Sequence, residues 1–236
     1  MIKSRIATAA ALMVVAGAAS AAGASVTATW VSDYDWRGVT QNDESGAFQL
    51  GGTYTAESGV YASLWGSTLA SGSDVTEIDE IVGYAFGDSA KAVGVDLGIN
   101  YYSYTNFKDA NYGELYAGIS HGWFGAKLWW SPDFGGKTNS GSQSEFYLEG
   151  NVTAPISDAL SFTAHFGYSD GDGIAAVYGG SKHYTDWSAG FAYNIGNFST
   201  FLKYVDGSDN KAFYYPNNSV GSRFVFGVST TLPWAK

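Results

Sequence analysis

The sequence predicts an all-β fold, a single antiparallel transmembrane β-barrel of about twelve strands with short turns at one end and long loops at the other. Three observations predict it. Apolar and polar residues alternate along most of the chain, the connections between alternating segments are short and long in turn, and 17% of the 236 residues are aromatic while only 4 are proline. Strands favour aromatic residues and exclude proline, so the three observations agree.

The composition also excludes several classes of function. The chain has no cysteine, so neither a disulfide framework nor a thiolate metal site is available. The formal net charge is −10, which disfavours nucleic acid as a partner. We expect no cofactor and no metal site.

The first residues form a unit of their own. Residues 1–21 contain a basic start, a short apolar run and small residues, which is the pattern of a secretory signal peptide cleaved after Ala21 or Ala24. Residues 22–236 would then be the mature barrel. Nothing in them approaches the roughly 18 consecutive apolar residues of a membrane-spanning helix, so a mature chain that enters a membrane must do so as a closed barrel. We expect it in the cell outer membrane.

Twelve alternating segments follow in order. The predicted strands span residues 26–39, 47–56, 60–67, 76–86, 91–104, 112–120, 123–131, 144–154, 160–169, 183–193, 198–206 and 222–232. The connections after the even-numbered strands are short, and those after the odd-numbered strands are mostly long and polar. An outer-membrane barrel sorts its connections in this way, with short periplasmic turns and long extracellular loops. A soluble sandwich has no reason to do so.

The predicted strand at residues 91–104 illustrates the alternation. Val95 and Leu97 fall on one face, while Asp96 and Asn100 fall on the other. The faces therefore have very different neighbours, as lipid and a polar lumen would be.

One acid in the predicted fourth strand does not fit the alternation. Glu77 and Asp79 share one face, but Glu80 falls on the other face with Ile78. Either Glu80 faces lipid or a bulge shifts the register.

The charged residues of the other strands are predicted to line the pore, because a basic residue facing lipid near the bilayer centre costs about 2–4 kcal/mol. The predicted basic pore-lining residues are Arg37, Lys127, Lys203 and Arg223. The predicted acidic ones are Glu77, Asp79, Asp96, Glu114, Glu145 and Glu149.

These charges are expected to form two walls. The last strand must pair with the first to close a barrel, so Arg37, Lys203 and Arg223 would lie on one wall, with most of the acids opposite. Such walls would set a field that tunes which solutes pass, and the excess of acids would give a mild cation preference. The alternative is that the charges pair with one another and plug the lumen.

A membrane-embedded hydrolase is a further alternative. It needs a nucleophile beside a base and a third group that orients the base. His165 is predicted to point inward from the middle of a strand, but no nearby serine stands out as a nucleophile. We therefore interpret His165 as polar lumen lining and expect no enzymatic activity.

Residues 170–173 (Asp-Gly-Asp-Gly) are similar to the start of a calcium loop but lack its later glutamate, which favours a solvated loop.

Several motifs carry a family resemblance. Residues 32–34 (Ser-Asp-Tyr) and 37–41 (Arg-Gly-Val-Thr-Gln) resemble the signature of the proteobacterial TorF-type porin family, earlier listed as a conserved family of unknown function. Residues 59–61 with 65–67, and the acidic stretch 76–84, resemble its next blocks. The resemblance implies an outer-membrane location and a pore, and it assigns no substrate or functional residue.

The end of the chain departs from the usual outer-membrane pattern. Such barrels commonly finish on an aromatic residue that the outer-membrane assembly machinery reads, whereas this chain finishes Pro-Trp-Ala-Lys, so that Trp234 would take that role.

Together these features predict a porin-like channel for passive diffusion of small polar or charged solutes, with outer-membrane lipid, solutes or ions and the assembly machinery as partners. One alternative is a non-conducting barrel with a structural role or partner-binding outer loops. Another is a periplasmic ligand-binding barrel. The oligomeric state and the solute are left open.

Overall fold

The computed structural model describes residues 22–69, 74–137, 141–208 and 221–234. The strands in these ranges are β1 (Gly23–Val31), β2 (Asp35–Trp36), β3 (Val39–Thr40), β4 (Ala47–Thr55), β5 (Val60–Thr68), β6 (Thr76–Gly87), β7 (Gly94–Tyr104), β8 (Tyr112–His121), β9 (Phe124–Ser131), β10 (Glu145–Pro155), β11 (Leu160–Asp170), β12 (His183–Ile195), β13 (Phe198–Gly207) and β14 (Arg223–Leu232). A short helix, α1 (Asp172–Tyr178), and a 3-10 turn (Lys108–Ala110) lie in the connections. The predicted signal peptide, residues 1–21, lies outside the described residues.

β1 and β4–β14 close into one antiparallel barrel, each strand pairing with its neighbours in the sequence. The seam joins β1 to β14, with partners running from Val26↔Leu232 to Val31↔Gly227. β2 and β3 pair only with each other. The predicted fold class, a closed antiparallel barrel of about twelve strands, is confirmed. No helix in the described ranges is long and apolar enough to cross a membrane.

The two faces of the barrel wall differ strongly. On β7 the side chain of Asp96 is buried towards the lumen, whereas Leu97 and Ile99 are exposed on the outside. Large apolar side chains are exposed around the barrel, and Phe48 and Phe224 each reach 70% exposure. A soluble protein rarely exposes so much contiguous apolar surface, whereas a transmembrane barrel presents such a band to lipid.

Glu80 lies on the outer face of β6. It pairs with Leu64 on one side and Tyr101 on the other, and the register runs through this point without a bulge. Its side chain is exposed, and Ser103 Oγ donates a hydrogen bond to Glu80 Oε1 over 3.2 Å. Of the two alternatives for this acid, the bulge is therefore excluded, and Glu80 lies on the outer face. Glu80 is the fifth of the twelve residues of β6, in the half of the strand that joins a long connection.

The predicted first strand, residues 26–39, is wrong beyond Val31. There β1 ends, and the chain turns into the lumen to form the β2–β3 hairpin. Arg37 and Gly38 make its two-residue turn with φ of 51° and 79°, the left-handed pair that a tight hairpin turn requires. We call residues 32–46 the inward loop. Arg37 therefore lies at the tip of this loop and not on the barrel wall.

The connections sort to the two ends of the barrel by length. The short ones are residues 56–59, 88–93, 122–123, 156–159 and 196–197. The others, mostly longer, are residues 32–46, 69–75, 105–111, 132–144, 171–182 and 208–222. The inward loop and α1 thus belong to the long-loop end, and the loop enters the lumen from that end.

Candidate functional site

The tip of the inward loop reaches the barrel wall. A Cβ added at Gly38 would lie 2.5 Å from the Cβ of Asp186 on β12, which is too close for any other residue. The positive φ of Gly38 also favours glycine over any other residue at this position. Glycine therefore allows the hairpin to cross the lumen and touch the wall.

Arg37 binds the acidic part of the wall. Its Nη2 donates to Glu114 Oε2 over 2.7 Å and its Nη1 to Glu145 Oε2 over 3.0 Å, joining the loop to β8 and β10. The guanidinium lies 4.4 Å from the ring centroid of Trp36 and 4.3 Å from that of Tyr147, a cation–π arrangement. One cation thus pairs with two buried carboxylates.

The acids of the inward loop bind the basic part of the wall. Arg223 Nε donates to Asp33 Oδ2 over 2.5 Å, and its Nη2 donates to Asp35 Oδ1 over 2.7 Å. Lys203 Nζ donates to Asp35 Oδ2 over 2.7 Å. The loop is therefore held to β13 and β14 by charges opposite in sign to the one that holds it to β8 and β10.

Asp35 and Arg37 belong to the loop and not to a barrel strand. Burial disfavours the ionised carboxylate of Asp35, but Lys203 and Arg223 outweigh burial and lower its pKa below the ordinary value. Burial likewise acts to lower the pKa of Arg37, and Glu114 and Glu145 overcome it and raise that pKa further above its ordinary value. Both loop charges stay ionised at neutral pH.

An apolar cluster lies beside the loop at the long-loop end. Its buried members come from β3, β7, β8, β12, α1 and residues 132–144, and they are Val39, Tyr102, Tyr112, Phe134, Ile174 and Tyr184. Tyr102 and Tyr112 stack with ring centroids 4.7 Å apart, and Phe134 stacks on Trp36 of the hairpin. The long-loop end of the lumen is therefore packed in the manner of a protein core.

A cavity of about 160 Å³ lies next to the inward loop. Trp65, Asp79, Asn100, Lys127 and Glu149 are among its lining residues. It has room for several water molecules, and its lining mixes charged groups with aromatic faces.

Lys127 and Asp96 form an ion pair on this lining, with Lys127 Nζ 2.9 Å from Asp96 Oδ2. Tyr61 donates to the other carboxylate oxygen over 2.7 Å, and its hydroxyl is also hydrogen-bonded to that of Tyr116. Lys127 Nζ lies 4.4 Å from the ring centroid of Tyr116. Asp96 is thus satisfied by a cation and a hydroxyl.

His165 is the centre of a second network. Its Nε2 lies 2.8 Å from Asp186 Oδ1 and 2.9 Å from the Tyr147 hydroxyl, and its Nδ1 lies 2.7 Å from Asn151 Oδ1. Glu149 lies nearby, with its Oε2 3.7 Å from Nδ1, and accepts a hydrogen bond from Trp129. The groups that contact His165 are therefore carboxylates, a phenol and an amide.

The Asp-Gly-Asp-Gly segment is used differently from a calcium loop. Asp172 begins α1 and forms an exposed ion pair with Lys182 over 2.5 Å. Among the described residues, no group of three or more His, Cys, Asp or Glu side chains is arranged to hold a metal ion.

The structure thus brings the sequence-predicted charges together in groups. Arg37, Glu114 and Glu145 form one group, and Lys203 and Arg223 another. Lys127 pairs with Asp96, while Glu149 lies beside His165. Glu77 and Asp79 lie apart from these groups, buried on the lumen side of β6.

Sequence reasoning did not select Asp33, Asp35, Asp186 or Tyr147 as site residues. Asp186 carried a usable signal, because it lies on the same face of β12 as the inward-facing Tyr184 and Ser188. The roles of Asp33 and Asp35 depend on the inward turn of the loop, which alternation does not indicate.

A family model described as "Bacterial protein of unknown function (Gcw_chp)" matches residues 15–232, and the chain belongs to this family. The TorF-type name is not confirmed by that match. A search of curated proteins gave no match.

Solved porin structures share the fold. The KdgM porin matches with a TM-score of 0.57 at 11% identity, covering 87% of this chain and 98% of that one. The NanC porin matches with a TM-score of 0.57 at 13% identity, covering 89% and 98%. A structure of the KdgM porin in complex with disordered oligogalacturonate matches with a TM-score of 0.53 at 11% identity, covering 87% and 98%. At these identities the likeness describes the fold alone.

Proposed function

We propose that the chain is an outer-membrane porin-like channel for passive diffusion of small polar or charged solutes. The observation that carries the proposal is the combination of an apolar outer surface with a lumen lined by charged and polar side chains. Lipid would stabilise the apolar outer surface but could not solvate the charged lining, so water and solutes would occupy the lumen.

The proposed location follows from the same surface. Residues 1–21 would direct export across the inner membrane, and the assembly machinery would insert residues 22–236 into the outer membrane. The short turns would face the periplasm and the long loops the outside, as in other barrels of this class. The inward loop would then enter the lumen from the outside.

The inward loop would set the size limit. It crosses the lumen between β8 and β10 on one side and β13 and β14 on the other, and ion pairs hold it on both sides. A twelve-stranded barrel lies between the filled eight-stranded and the open sixteen-stranded cases, so a loop inside it leaves a narrow path. We therefore expect low conductance and passage of small solutes only.

Charge would set the selectivity. Carboxylates outnumber basic groups among the buried lumen residues, which favours cations over anions. The KdgM structure contains oligogalacturonate, an anionic sugar polymer. The acidic lumen of this chain is poorly suited to such a polyanion, so we propose small cations and neutral solutes as its preferred cargo.

A non-conducting barrel is the second candidate function. The apolar cluster favours it, because buried apolar side chains pack together at the long-loop end of the lumen. In that case the outer loops would carry the function by a structural role or by binding a partner.

Planar-bilayer recording of the detergent-extracted mature protein separates the two candidates. Discrete and reproducible current steps, with a reversal potential that indicates mild cation preference in a salt gradient, are the expected result. Folded protein that inserts without giving steps would reject the channel, and clear anion preference would reject the proposed selectivity.

A further inference from the structure

The cavity beside the inward loop has two chemically different sides. One side is apolar and aromatic, and its residues come from β1, the inward loop, β5 and β13. In that order they are Val31, Tyr34, Trp65 and Phe201. The first three are buried in one cluster, and Phe201 is half-buried and packs against it. A solute in the cavity therefore meets one continuous apolar surface.

The other side of the cavity is polar. Its residues come from β9, β10 and β11, and they are Lys127, Glu149, Asn151 and His165. In the closed order of the barrel β5 is six strands from β11, and β1 is six strands from β9, so the two sides face each other across the lumen. Phe201 lies on β13, two strands from β11, so its ring is the part of the apolar side that is nearest to the polar side.

The aromatic rings of the apolar side lie along the barrel wall. Phe201 is opposite Gly227 on the neighbouring strand, and a Cβ added at Gly227 would lie 2.5 Å from Phe201 Cζ, at the far end of the ring. Trp65 is opposite Gly51, and a Cβ added at Gly51 would lie 3.1 Å from Trp65 Cδ1. Each ring thus lies over a glycine of the next strand, and the lumen in front of the ring stays open for a solute.

The polar side can hydrogen-bond an uncharged solute without losing its own contacts. Glu149 Oε1 accepts a hydrogen bond from Trp129 Nε1 over 2.8 Å, and Glu149 Oε2 accepts one from Asn151 Nδ2 over 2.9 Å. Each carboxylate oxygen has a second lone pair, and the amide nitrogen has a second hydrogen. Hydroxyl groups both donate and accept hydrogen bonds, so they match both kinds of site.

A charged solute is less suited to the cavity, because the charges beside it are already paired. Lys127 Nζ lies 2.9 Å from Asp96 Oδ2, and Lys203 Nζ lies 2.7 Å from Asp35 Oδ2. His165 Nε2 lies 2.8 Å from Asp186 Oδ1. An ionic solute would have to displace one member of such a pair and leave a buried charge uncompensated, which is strongly unfavourable. An uncharged solute avoids that cost.

We propose that this cavity binds a single neutral pyranose sugar, with one face of the sugar ring stacked on Phe201 and its hydroxyl groups hydrogen-bonded to Glu149 and Asn151. A pyranose has carbon–hydrogen bonds on its faces, which the negative face of an aromatic ring attracts, and hydroxyl groups around its rim. The cavity volume of about 160 Å³ is comparable with that of one such ring.

The inference rests on the proposed channel function, since the sugar reaches the cavity through the lumen, and it names the preferred class among the neutral solutes. Small-molecule sites commonly combine an apolar, aromatic lining with a few placed polar groups, as this cavity does.

Saturation-transfer difference NMR tests the inference on the folded mature protein, in micelles of a detergent that carries no sugar. The probe is methyl β-D-glucopyranoside, and micelles without protein give the background. We expect a saturable signal with half-saturation in the millimolar range, as for other ligands of this size. The axial hydrogens of one ring face should receive the strongest saturation, because that face lies on Phe201.

Three further probes define the ligand class on the unmodified protein. Mannitol carries hydroxyl groups but no ring face, methyl β-D-glucuronide adds a negative charge, and tetramethylammonium is a small organic cation. We expect each of them to bind several-fold more weakly than the glucoside. This comparison needs no variant, so a folding defect cannot imitate its result.

A matched pair of variants tests the stacking surface. Phe201→Leu removes the ring but keeps an apolar side chain, and the half-saturating glucoside concentration should rise about fivefold. Phe198→Leu makes the same change on the same strand at an outward position that is 49% exposed, and it should bind like the unmodified protein. Glu149→Gln weakens the hydrogen-bond acceptor and should raise the half-saturating concentration about threefold or more. All variants are first checked for the heat-modifiable gel migration of a folded barrel.

The inference is overturned if the folded protein gives no saturable signal with the glucoside, or if mannitol, the glucuronide or tetramethylammonium binds as tightly. Equal half-saturation of folded Phe201→Leu and Phe198→Leu would also overturn it. Bilayer recording separates this site from the channel itself. Current steps without glucoside binding would reject the site alone, whereas glucoside binding without current steps would support the site and reject the channel.

Discussion

The acidic and basic walls of the lumen both form ion pairs with the same short loop, but in different ways. On the acidic wall one guanidinium, that of Arg37, serves both Glu114 and Glu145. On the basic wall two carboxylates of the loop form the ion pairs. Asp35 contacts both Lys203 and Arg223, and Asp33 also contacts Arg223. The acidic wall therefore depends on a single loop residue, whereas on the basic wall Arg223 keeps one acidic partner if the other is lost.

This difference determines how each wall should respond to mutation. Removing one partner of a buried ion pair leaves an uncompensated charge in a site of low polarity. On the acidic wall a single substitution exposes two carboxylates to that penalty. On the basic wall Arg223 retains polar partners when one acid is lost, since it contacts both Asp33 and Asp35 and also donates to the carbonyl oxygen of Gly38 over 3.1 Å.

The largest effect is expected for Arg37→Ala. Glu114 and Glu145 would lose their cation, and the free energy of unfolding should fall by about 3–5 kcal/mol. Urea unfolding in micelles, followed by tryptophan fluorescence, measures the change. Lys91→Ala is a matched control, because Lys91 pairs with Asp88 in an exposed turn and its loss should leave stability unchanged. Equal stability of Arg37→Ala and the control would contradict the single-residue account of the acidic wall.

Asp35→Asn should have a smaller effect on stability, of about 1–3 kcal/mol, because Asp33 still holds Arg223. Its effect on selectivity is the sharper test. Lys203 would lose its carboxylate partner, and the reversal potential in a salt gradient should move towards anions. A shift towards cations would show that Lys203 does not face the conducting path.

Exchanging arginine and lysine tests whether each ion pair depends on hydrogen-bond geometry or on charge alone. Arg37→Lys keeps the charge but cannot reach two carboxylates with a planar fork, so we expect a loss of about 1–2 kcal/mol in the free energy of unfolding. Lys203→Arg should be tolerated, since Lys203 makes a single contact with Asp35. Equal losses in the two variants would indicate that the walls do not differ as described.

The smallest effect concerns pH. The pKa of Asp35 is lowered in the folded protein, so its contribution to stability is complete above the unfolded pKa of about 3.9 and is lost as pH falls through the lowered folded value. The difference in unfolding free energy between the unmodified protein and Asp35→Asn should therefore stay constant from pH 7 to about pH 4.5 and shrink below about pH 4. A difference that already disappears by pH 5 would contradict the lowered pKa.

The sequence predicted the barrel well because a barrel wall is a local pattern. Each strand contacts only two neighbours, and alternation alone assigns Asp96, Leu97 and Asn100 to their faces. The even strand count and the sorted connection lengths then fix the closure. Glu80 departs from the pattern, since it is a charged and exposed residue on the outer face of β6.

The alternation of apolar and polar residues could not predict the inward loop. Asp33, Asp35 and Arg37 continue the period of β1, so the pattern predicts that the strand runs on. The strand pattern is interrupted by a turn in which Arg37 adopts a positive φ. Arginine rarely adopts this conformation, so its presence in the sequence does not predict the turn. Its partners, Glu114 and Glu145, lie 77 and 108 residues away in the sequence, and no local rule joins them.

If the barrel conducts as proposed, the inward loop narrows its lumen. Single-channel recording of the unmodified protein beside a variant in which residues 35–40 are replaced by a short Gly-Ser linker tests it most directly, at the same salt and voltage. We expect discrete current steps from both proteins, with clearly larger steps from the variant that carries the linker. Equal steps from the two folded proteins, or no steps from either, would contradict it.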